Sequence, residues 1–444
     1  MTAAAQQIAR FASEFRPSSL SAAHLEACGR AMADTFAVAI AARGERPVEC
    51  ALRYARGQGS GGPARLWGTA LDASVEGAAL FNGIAAHALD YDDASSPMCG
   101  HPSVVLLPAL VALGQARAVT GPQLAAAYVA GFEVACRLGR GLDQTHYDRG
   151  WHMTATVGTV ASAVACGNLL RLDQSRITHA IGFAVAQAAG TRASFGTDAK
   201  SFQAGYAAAS GARAALLAEA GLTAAGDALD GKAGFTALYS AGEELADSFA
   251  SIGHEPLEID RSGIEVKKYP ACYAVHRALD GMFDLRDAHR FTADAVSEIQ
   301  VETSYGALAP LIKQQPTNAT EARFSMQYAL AAALVDGEIS LQSFSDDAIR
   351  RPAIQALMPR ITAREQHGTM TPRWATLEVK TAEGQRWSTR VETLRGAPEK
   401  PLTHQQLQAK VADCLRWGNS ALEAPVLMKR ALSLDILQSA FLAA

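Results

Sequence analysis

The sequence predicts a mainly α protein, built from a large all-helical domain and a smaller α+β domain. Hydrophobic residues recur at helical spacing from about Ala5 to Ser251, whereas alternation with period two appears only after Glu255. In addition, 49% of the 444 residues are hydrophobic and 19% are charged, a composition typical of a compact chain with a large core. We therefore assign residues 1–255 and 405–444 to the helical domain and residues 256–404 to the α+β domain.

The helical prediction rests on segments that are joined by short connectors. They span residues 20–42, 47–56, 72–93, 103–119, 124–142, 154–170, 174–189 and 201–220. In the α+β region, residues 296–303 alternate with period two, and residues 375–380 and 387–392 flank Glu383-Gly384 as the strands of a hairpin. Further helices are predicted at residues 272–288, 324–336, 349–357, 405–415 and 425–441, and the last two are expected to return to the first domain.

Charge and cysteine content exclude several classes of protein. The net charge of -4 offers no basic surface for nucleic acid, so no nucleic-acid partner is expected. Seven scattered cysteines without a CxxC motif are typical of reduced thiols, and residues 1–15 lack the pattern of a secretory signal, so we expect a cytoplasmic protein. The apolar stretch 153–170 is rich in small residues and contains Asn168, which favours a buried helix over a membrane span.

The densest group of titratable residues lies between His87 and His101, in a chain that is otherwise poor in charge. If one helix continues through this stretch, Asp90 and Asp93 lie one turn apart, and each carboxylate raises the pKa of the other unless a cation is near. Ser103 is the predicted cap of the next helix, which leaves His101 beside a positive helix end that suits anions. The alternative is a helix terminus whose acids are merely solvated and whose histidine caps.

Lysine is the rarer basic residue, with nine lysines among forty basic residues. Lysines in surroundings rich in Ala and Gly therefore indicate a need for a compact ammonium group. The best cases are Lys200 and the pair Lys267-Lys268; the alternatives are an exposed helix start for Lys200 and protection of a strand edge for the pair. His152 precedes an apolar helix for which Thr154 is the predicted cap, although a single histidine so placed is more often structural.

Motifs for metal, nucleophile and cofactor chemistry are missing from the sequence. It contains no HExxH, no GxSxG and no convincing GxGxxG after a strand, and the glycine run at residues 57–62 lacks the GK[ST] of a P-loop. His87 with Asp90 alone would be an incomplete ligand set for a metal. The leading class is therefore an acid/base enzyme without metal or cofactor. Tyr328 is a core residue by default, but its hydroxyl could reach a cleft.

Taken together, the motifs of this chain resemble those of the MmgE/PrpD family, which includes 2-methylcitrate dehydratase, cis-aconitate decarboxylase and iminodisuccinate epimerase. The motifs occur in family order, and the division into two domains extends the resemblance to nearly the whole chain. No single motif is specific, but the set is highly specific. The matching pieces are Asn82-Gly83 with His87-Ala-Leu-Asp90-Tyr-Asp-Asp93, His101-Pro102-Ser103, Gly150-Trp-His152 with Thr156-Val-Gly158, Lys200 to Gly205, Lys267-Lys-Tyr-Pro270 with His276, and Phe324-Ser-Met-Gln-Tyr328.

The resemblance implies a helical domain built from both ends of the chain, a smaller lid domain, a homodimer and a site in the cleft between the domains. Such a site suits a small di- or tricarboxylate, because lysines and histidines neutralise its charge while one base removes a proton next to a carboxylate. We expect His152 or Lys200 as the base, His101 as the acid and Lys267 as the group that grips a carboxylate. Asp90, Tyr328, Cys272 and Lys268 complete the expected substrate site.

Two departures from the family bear on the reaction. The loop at residues 94–100 differs from the pattern of the dehydratases, and cis-aconitate decarboxylase has a histidine where this chain has Cys272, which weighs against decarboxylation. We expect a cofactor-independent lyase, most similar to 2-methylcitrate dehydratase. The alternatives are an isomerase similar to iminodisuccinate epimerase, a lyase similar to cis-aconitate decarboxylase, and a family member that binds without catalysis.

Overall fold

A computed structural model describes residues 3–59, 61–242, 245–311, 313–369, 372–435, 437 and 442, without the side chains of residues 143 and 144. The protein is mainly α, as the sequence predicts. It forms two compact units, the first made of Met1–Val266 with His404–Ala444 and the second of Lys267–Thr403. The boundaries drawn from the sequence lie at 255/256 and 404/405.

Helices make up most of the first unit. Among its described residues the only strands are Ala64–Arg65 (β1) and Asp72–Ala73 (β2), which form an antiparallel ribbon, so the expectation of an all-helical domain needs this correction. The helices are α1 Ala4–Glu14, α2 Ala22–Ala41, α3 Arg46–Gly57, α4 Val75–His87, α5 Ser103–Arg117, α6 Gly121–Gly141, α7 Asp143–Asp148, α8 Met153–Leu169, α9 Gln174–Val185, α10 Asp198–Glu219, α11 Phe235–Tyr239, α12 Ala246–Phe249 and α13 Glu258–Arg261, and, after the second unit, α19 His404–Trp417 and α20 Ala424–Leu432.

Small residues let the central helices of the first unit approach closely. Helix α10 packs against α4 and α8, and α6 packs against α8. Gly83 of α4 faces Gly205 of α10, where a methyl group on Gly83 would lie only 2.6 Å from the Gly205 Cα atom. The two glycines therefore fix the distance between the last turn of α4, which carries His87, and the first turns of α10, which carry Lys200.

The apolar stretch that the sequence marks at residues 153–170 forms α8, and every residue of this helix is buried. Its alanines, glycines, serines and threonines give it a narrow surface on all sides, which suits a helix enclosed by others. Within the described part of the chain, no helix is long and apolar enough to cross a bilayer.

Helix α4 is shorter than the sequence predicts. It ends at His87 instead of continuing to Asp93, and Asp90 adopts a left-handed conformation with a φ of 51° that a continuous helix excludes. Aspartate tolerates this conformation better than most residues. Helix α20 ends at Leu432; residues 436 and 438–441 of the helix predicted there lie outside the described residues.

Two predicted caps are also wrong. The N-caps of α5 and α8 are Pro102 and His152, not Ser103 and Thr154. Ser103 lies one position after the N-cap of its helix, and Thr154 lies two positions after the N-cap of its helix. Both hydroxyls instead take part in hydrogen bonds with the loop that follows α4.

The second unit is a four-stranded mixed sheet with helices against it. Its elements are α14 His276–His289, β3 Val296–Thr303, α15 Ala319–Ala322, α16 Met326–Asp336, α17 Asp346–Ile349, α18 Pro352–Leu357, β4 Ile361–Glu365, β5 Ala375–Thr381 and β6 Arg386–Val391. The strand order is β4-β3-β5-β6, with β3 parallel to β4 and the other pairs antiparallel. The predicted strand β3 and the β5–β6 hairpin are confirmed, whereas β4 was not predicted. Buried residues of α14, α16 and the sheet form the core of this unit.

Substituting Gly205 by Ala tests the close packing of α4 and α10. We expect Gly205→Ala to lower the free energy of unfolding by about 1–3 kcal/mol, because the new methyl group would lie 2.9 Å from the backbone nitrogen of Ile84 and force the helices apart. Urea denaturation followed by circular dichroism measures the loss. Gly57→Ala is the control, since a methyl group there meets no atom within 4 Å, and equal losses in both variants would contradict the packing argument.

Candidate active site

Four of the predicted site residues come together in the first unit: Asp90, His101, His152 and Lys200. The Lys200 Nζ atom lies 2.5 Å from Asp90 Oδ1, and His101 Nε2 lies 3.9 Å from the same oxygen. His87 links the group, since its ring centroid lies 4.6 Å from that of His101 and 6.4 Å from that of His152. Even the most exposed of these side chains, His101, has only 15% of its surface accessible.

Each of the four residues lies at or near the end of a helix. Asp90 follows α4, His101 precedes α5 by two residues, His152 is the N-cap of α8, and Lys200 is the third residue of α10. Helix starts carry unpaired backbone N–H groups and a partial positive charge, so three of them close to one another favour a bound anion. Lys200 is buried, so the alternative of an exposed helix start is wrong.

The Asp92 carboxylate accepts hydrogen bonds from two histidines. His87 Nδ1 lies 3.0 and 2.9 Å from its two oxygens, and His101 Nδ1 lies 2.9 Å from Oδ2. Burial alone would raise the pKa of Asp92, but the two imidazoles hold this pKa well below its usual value. Because an ionised carboxylate can only accept, both rings carry a proton on Nδ1.

His101 is held in one orientation by three contacts. Besides Asp92, its Nδ1 atom faces the backbone oxygen of Asp93 at 2.8 Å, and its backbone N–H donates to Thr154 Oγ1 at 3.2 Å. Two oxygen acceptors at Nδ1 leave Nε2 as the nitrogen that can exchange a proton with a ligand. The Thr154 hydroxyl thus links the segment before α5 to the start of α8.

His152 is fixed as a neutral imidazole. Its Nδ1 atom lies 2.7 Å from Gln203 Oε1, and the Gln203 amide nitrogen donates to the carbonyl of Thr191 at 3.2 Å, which sets the orientation of the amide. The proton therefore resides on Nδ1, and the Nε2 lone pair can accept another. Burial, followed by the charge of Lys200, holds the pKa of His152 well below its usual value.

Asp93 belongs to a separate buried network. Its carboxyl group accepts the backbone N–H of Ser103 at 3.2 Å and is bonded to the Ser103 hydroxyl, which lies 2.8 Å from the Tyr128 hydroxyl. Burial above all, and then the carboxylates of Asp34 and Asp92, raise the pKa of Asp93 to about 8. The predicted pairing of Asp90 with Asp93 is wrong, because the helix ends at His87. The pKa of Asp93 is raised by burial and by Asp34 and Asp92 instead.

The loop after α4 is supported by both a distant helix and a backbone bridge. Lys410 of α19 donates to the carbonyl of Tyr91 at 2.9 Å and pairs with Asp34 of α2 at 2.6 Å. Further along the loop, the backbones of Ala94 and Glu265 exchange hydrogen bonds of 2.9 and 3.0 Å. These contacts keep the acidic residues of the loop at fixed positions.

One set of side chains has the spacing of metal ligands: single donor atoms of His87, Asp90, Asp92 and His101 lie within 4.8 Å of one another. However, Asp92 accepts N–H groups from both imidazoles, and the ammonium of Lys200 pairs with Asp90. A metal would need lone pairs where these contacts place protons. The donor set therefore fits a hydrogen-bonded acid/base cluster better than a metal centre.

Two predicted lysines lie in the second unit. Lys267 is completely buried in an irregular segment, so the alternative of strand-edge protection is wrong for it. The Lys268 Nζ atom lies 5.5 Å from the ring centroid of Tyr269, and burial, with the charge of Arg395, lowers the pKa of Lys268. That either lysine binds substrate stays a prediction.

Cys272 and Tyr328 also lie in the second unit. The backbone N–H of Cys272, a buried residue, donates to the carbonyl of Arg323 at 2.9 Å. Tyr328 is buried in the core of the unit, where its hydroxyl donates to the carbonyl of Ser343. This contact matches the default expectation of a core tyrosine, and a role in substrate binding stays a prediction for both residues.

Sequence reasoning missed three members of the cluster as functional residues: His87, Asp92 and Gln203. His87 and Asp92 stood in the acidic motif, but helical spacing placed His87 on one face with Asp90, whereas its partner in the structure is Asp92. The pairing of Gln203 with a histidine 51 positions away leaves no local signal. A signal did exist for Gln203 in the resemblance, because it lies within the matched motif from Lys200 to Gly205.

Comparison with known proteins identifies the family. Residues 6–248 match the MmgE/PrpD N-terminal domain, and residues 269–432 match the MmgE/PrpD C-terminal domain. The chain is 29% identical over 345 residues to cis-aconitate decarboxylase of Homo sapiens, which covers 75% of this chain and 71% of the relative. It is 27% identical over 315 residues to cis-aconitate decarboxylase of Aspergillus terreus, covering 65% and 63%.

The two matches cover most of the chain, and they agree with the mainly α fold and its division into two units. The chain belongs to the MmgE/PrpD family. The resemblance found in its motifs is thereby confirmed.

The raised pKa of Asp93 predicts a pH-dependent stability. A carboxyl that titrates near pH 8 when folded and near 3.8 when unfolded contributes stability that is complete below pH 3.8 and is lost as the pH rises towards 8. Between pH 5 and pH 8 we expect the wild type to lose at least about 1.4 kcal/mol relative to Asp93→Asn, the value of one pKa unit. Urea denaturation at both values measures this, with the exposed Asp247→Asn as control. Parallel profiles of the wild type and Asp93→Asn would refute the assignment.

Proposed function

We propose that this protein is a lyase that acts on a small di- or tricarboxylate by acid/base catalysis next to a carboxylate, without metal or organic cofactor. The observation that carries the proposal is the neutral His152, with its free Nε2 lone pair, beside the Lys200 ammonium and the second oriented imidazole of His101. Family membership and similarity to cis-aconitate decarboxylases support a lyase and a substrate similar to cis-aconitate.

Substrate binding in this proposal is electrostatic. A polycarboxylate needs several cationic or N–H donor groups, and the cluster offers the Lys200 ammonium and the starts of α5, α8 and α10. Asp90 partly neutralises Lys200 before the substrate arrives. A ligand carboxylate that approaches Lys200 would therefore share the ammonium with Asp90.

Proton transfer is assigned to the two imidazoles. His152 Nε2 is the proposed base that takes a proton from the carbon next to a carboxylate, and Gln203 holds the ring in the required tautomer. His101 is the proposed acid, because Asp92 orients its ring through Nδ1 and leaves Nε2 as the nitrogen that exchanges a proton with the ligand. Lys200 is the weaker candidate for the base, since its Nζ atom is already engaged by the Asp90 carboxylate.

The same groups serve two lyase reactions. In a dehydration, the base removes a carbon-bound proton and the acid protonates the departing hydroxyl group; in a decarboxylation, carbon dioxide leaves and the acid protonates the resulting carbanion. Dehydration of 2-methylcitrate is the first candidate from the motifs, and the similarity to cis-aconitate decarboxylases favours decarboxylation of cis-aconitate as the second. Cys272 stands where a decarboxylase is expected to have a histidine, and this difference favours dehydration.

Incubation of the full chain with 2-methylcitrate and with cis-aconitate separates the candidates. Nuclear magnetic resonance of the products in deuterated water distinguishes loss of water, loss of carbon dioxide, and exchange of a carbon-bound proton without either loss. The last result would indicate an isomerase. No change in any of several polycarboxylates would contradict the proposal.

Replacing His152 by Asn tests the base. Asparagine keeps an N–H donor for Gln203 but has no group at the position of Nε2, so we expect kcat/KM to fall by about 10²- to 10⁴-fold while the fold is retained. Steady-state kinetics with the substrate found above measures the loss. His404→Ala, at the exposed first residue of α19, is the control and should keep full activity. A His152→Asn variant that is as active as the wild type would rule out this base.

Replacing Lys267 by Met tests the predicted carboxylate grip. Loss of one charge-assisted hydrogen bond, worth about 1.5–3 kcal/mol, should raise KM by roughly 10- to 150-fold with a smaller effect on kcat. Lys429→Met, at an exposed site on α20, is the control. An unchanged KM in a folded Lys267→Met variant would remove Lys267 from the substrate site.

A further inference from the structure

His87 is a buried histidine of which only one ring nitrogen, Nδ1, takes part in a hydrogen bond with a described residue. Its side chain has no accessible surface, and Nδ1 donates to the ionised Asp92 carboxylate at 2.9 Å. Nε2, on the opposite edge of the ring, is therefore an acceptor. Within the described residues, this atom has no hydrogen-bond partner.

A buried acceptor without a partner is costly, and in native proteins it calls for a specific explanation such as strain, a catalytic role, or a bound water or ion. The neighbours of His87 favour a functional role. Its ring meets the His101 ring edge to face at 4.6 Å and lies nearly parallel to the His152 ring at 6.4 Å. The unpartnered nitrogen thus belongs to the cluster to which acid and base are assigned.

We propose that His87 is a further substrate-contacting residue, whose Nε2 atom accepts a hydrogen bond from a donor group of the bound polycarboxylate. Asp92 is the positioning residue, because its carboxylate fixes the proton of His87 on Nδ1. This inference rests on the proposed function, which supplies the ligand class.

The acceptor character of His87 has a consequence for specificity. Ionised carboxylates are acceptors only, so they cannot satisfy Nε2, whereas a hydroxyl group on the same carbon skeleton can. Burial, together with the positive charges of Lys200 and His101, lowers the pKa of His87 to about 4, although the Asp92 carboxylate acts in the opposite direction. The ring therefore remains an acceptor at neutral pH. His87 therefore selects hydroxy acids over their deoxy analogues.

Citrate and propane-1,2,3-tricarboxylate test this selection, since they differ only by one hydroxyl group. We expect the wild type to bind citrate at least about tenfold more tightly, by titration calorimetry at neutral pH. His87→Asn retains a donor at the position of Nδ1 and loses the acceptor at Nε2, so its preference should disappear. His87→Gln places an amide at the position of Nε2 and should retain part of the preference.

The outcomes separate this inference from the proposed function. If the wild type binds neither acid and converts no polycarboxylate, the proposed function fails and the inference fails with it; if it converts a polycarboxylate but binds neither acid, only the role of His87 is overturned. Equal binding of both acids by the wild type, or a preference that survives in His87→Asn, overturns only the role of His87. Should His87→Asn not fold, the ¹⁵N resonance of Nε2 in the wild type decides: it should move with citrate and not with the deoxy acid, and equal shifts overturn the inference.

Discussion

The chemical state of this site depends on one buried carboxylate that is shared by two imidazoles. A buried charge persists only when hydrogen bonds compensate for the lost water, and Asp92 obtains them from His87 and His101. That requirement fixes both rings with the proton on Nδ1. Gln203 imposes the same tautomer on His152 by a neutral contact. As a result, all three rings keep Nε2 for other partners.

This arrangement requires the chain to leave the helical conformation at the right residue. If α4 continued, Asp90 and Asp93 would share one face and could not reach different partners. The left-handed turn at Asp90 instead directs Asp90 to Lys200, Asp92 to the imidazoles and Asp93 to the start of α5. Lys410 of α19 supports this turn, since its ammonium donates to the carbonyl of Tyr91.

Sequence periodicity predicted the elements in which several large apolar residues recur. Strand β3 was found with its exact bounds because Val296, Ile299 and Val301 lie at its buried positions, whereas β4 has one large apolar residue, Ile361, at a buried position and gave too weak a pattern. The end of α4 was missed because no glycine or proline stands between His87 and Asp93. The dense titratable motif indicated Asp90, predicted helix starts indicated His101 and His152, and the scarcity of lysine indicated Lys200. Contacts across 51 positions, such as that of Gln203, appear only in the folded structure.

Under the proposed function, the low basicity of His152 is a property of the site before substrate binds. The pKa of His152 is lowered first by burial and then by the positive charge of Lys200. A substrate carboxylate would bring negative charge to that same ammonium and would offset its effect on the imidazole. Lys200 therefore has two roles: its charge attracts the substrate, and its effect on the pKa of His152 is cancelled once the substrate is bound. Basicity would rise only when the site is occupied, which suits an enzyme that must remove a proton from its substrate rather than from water.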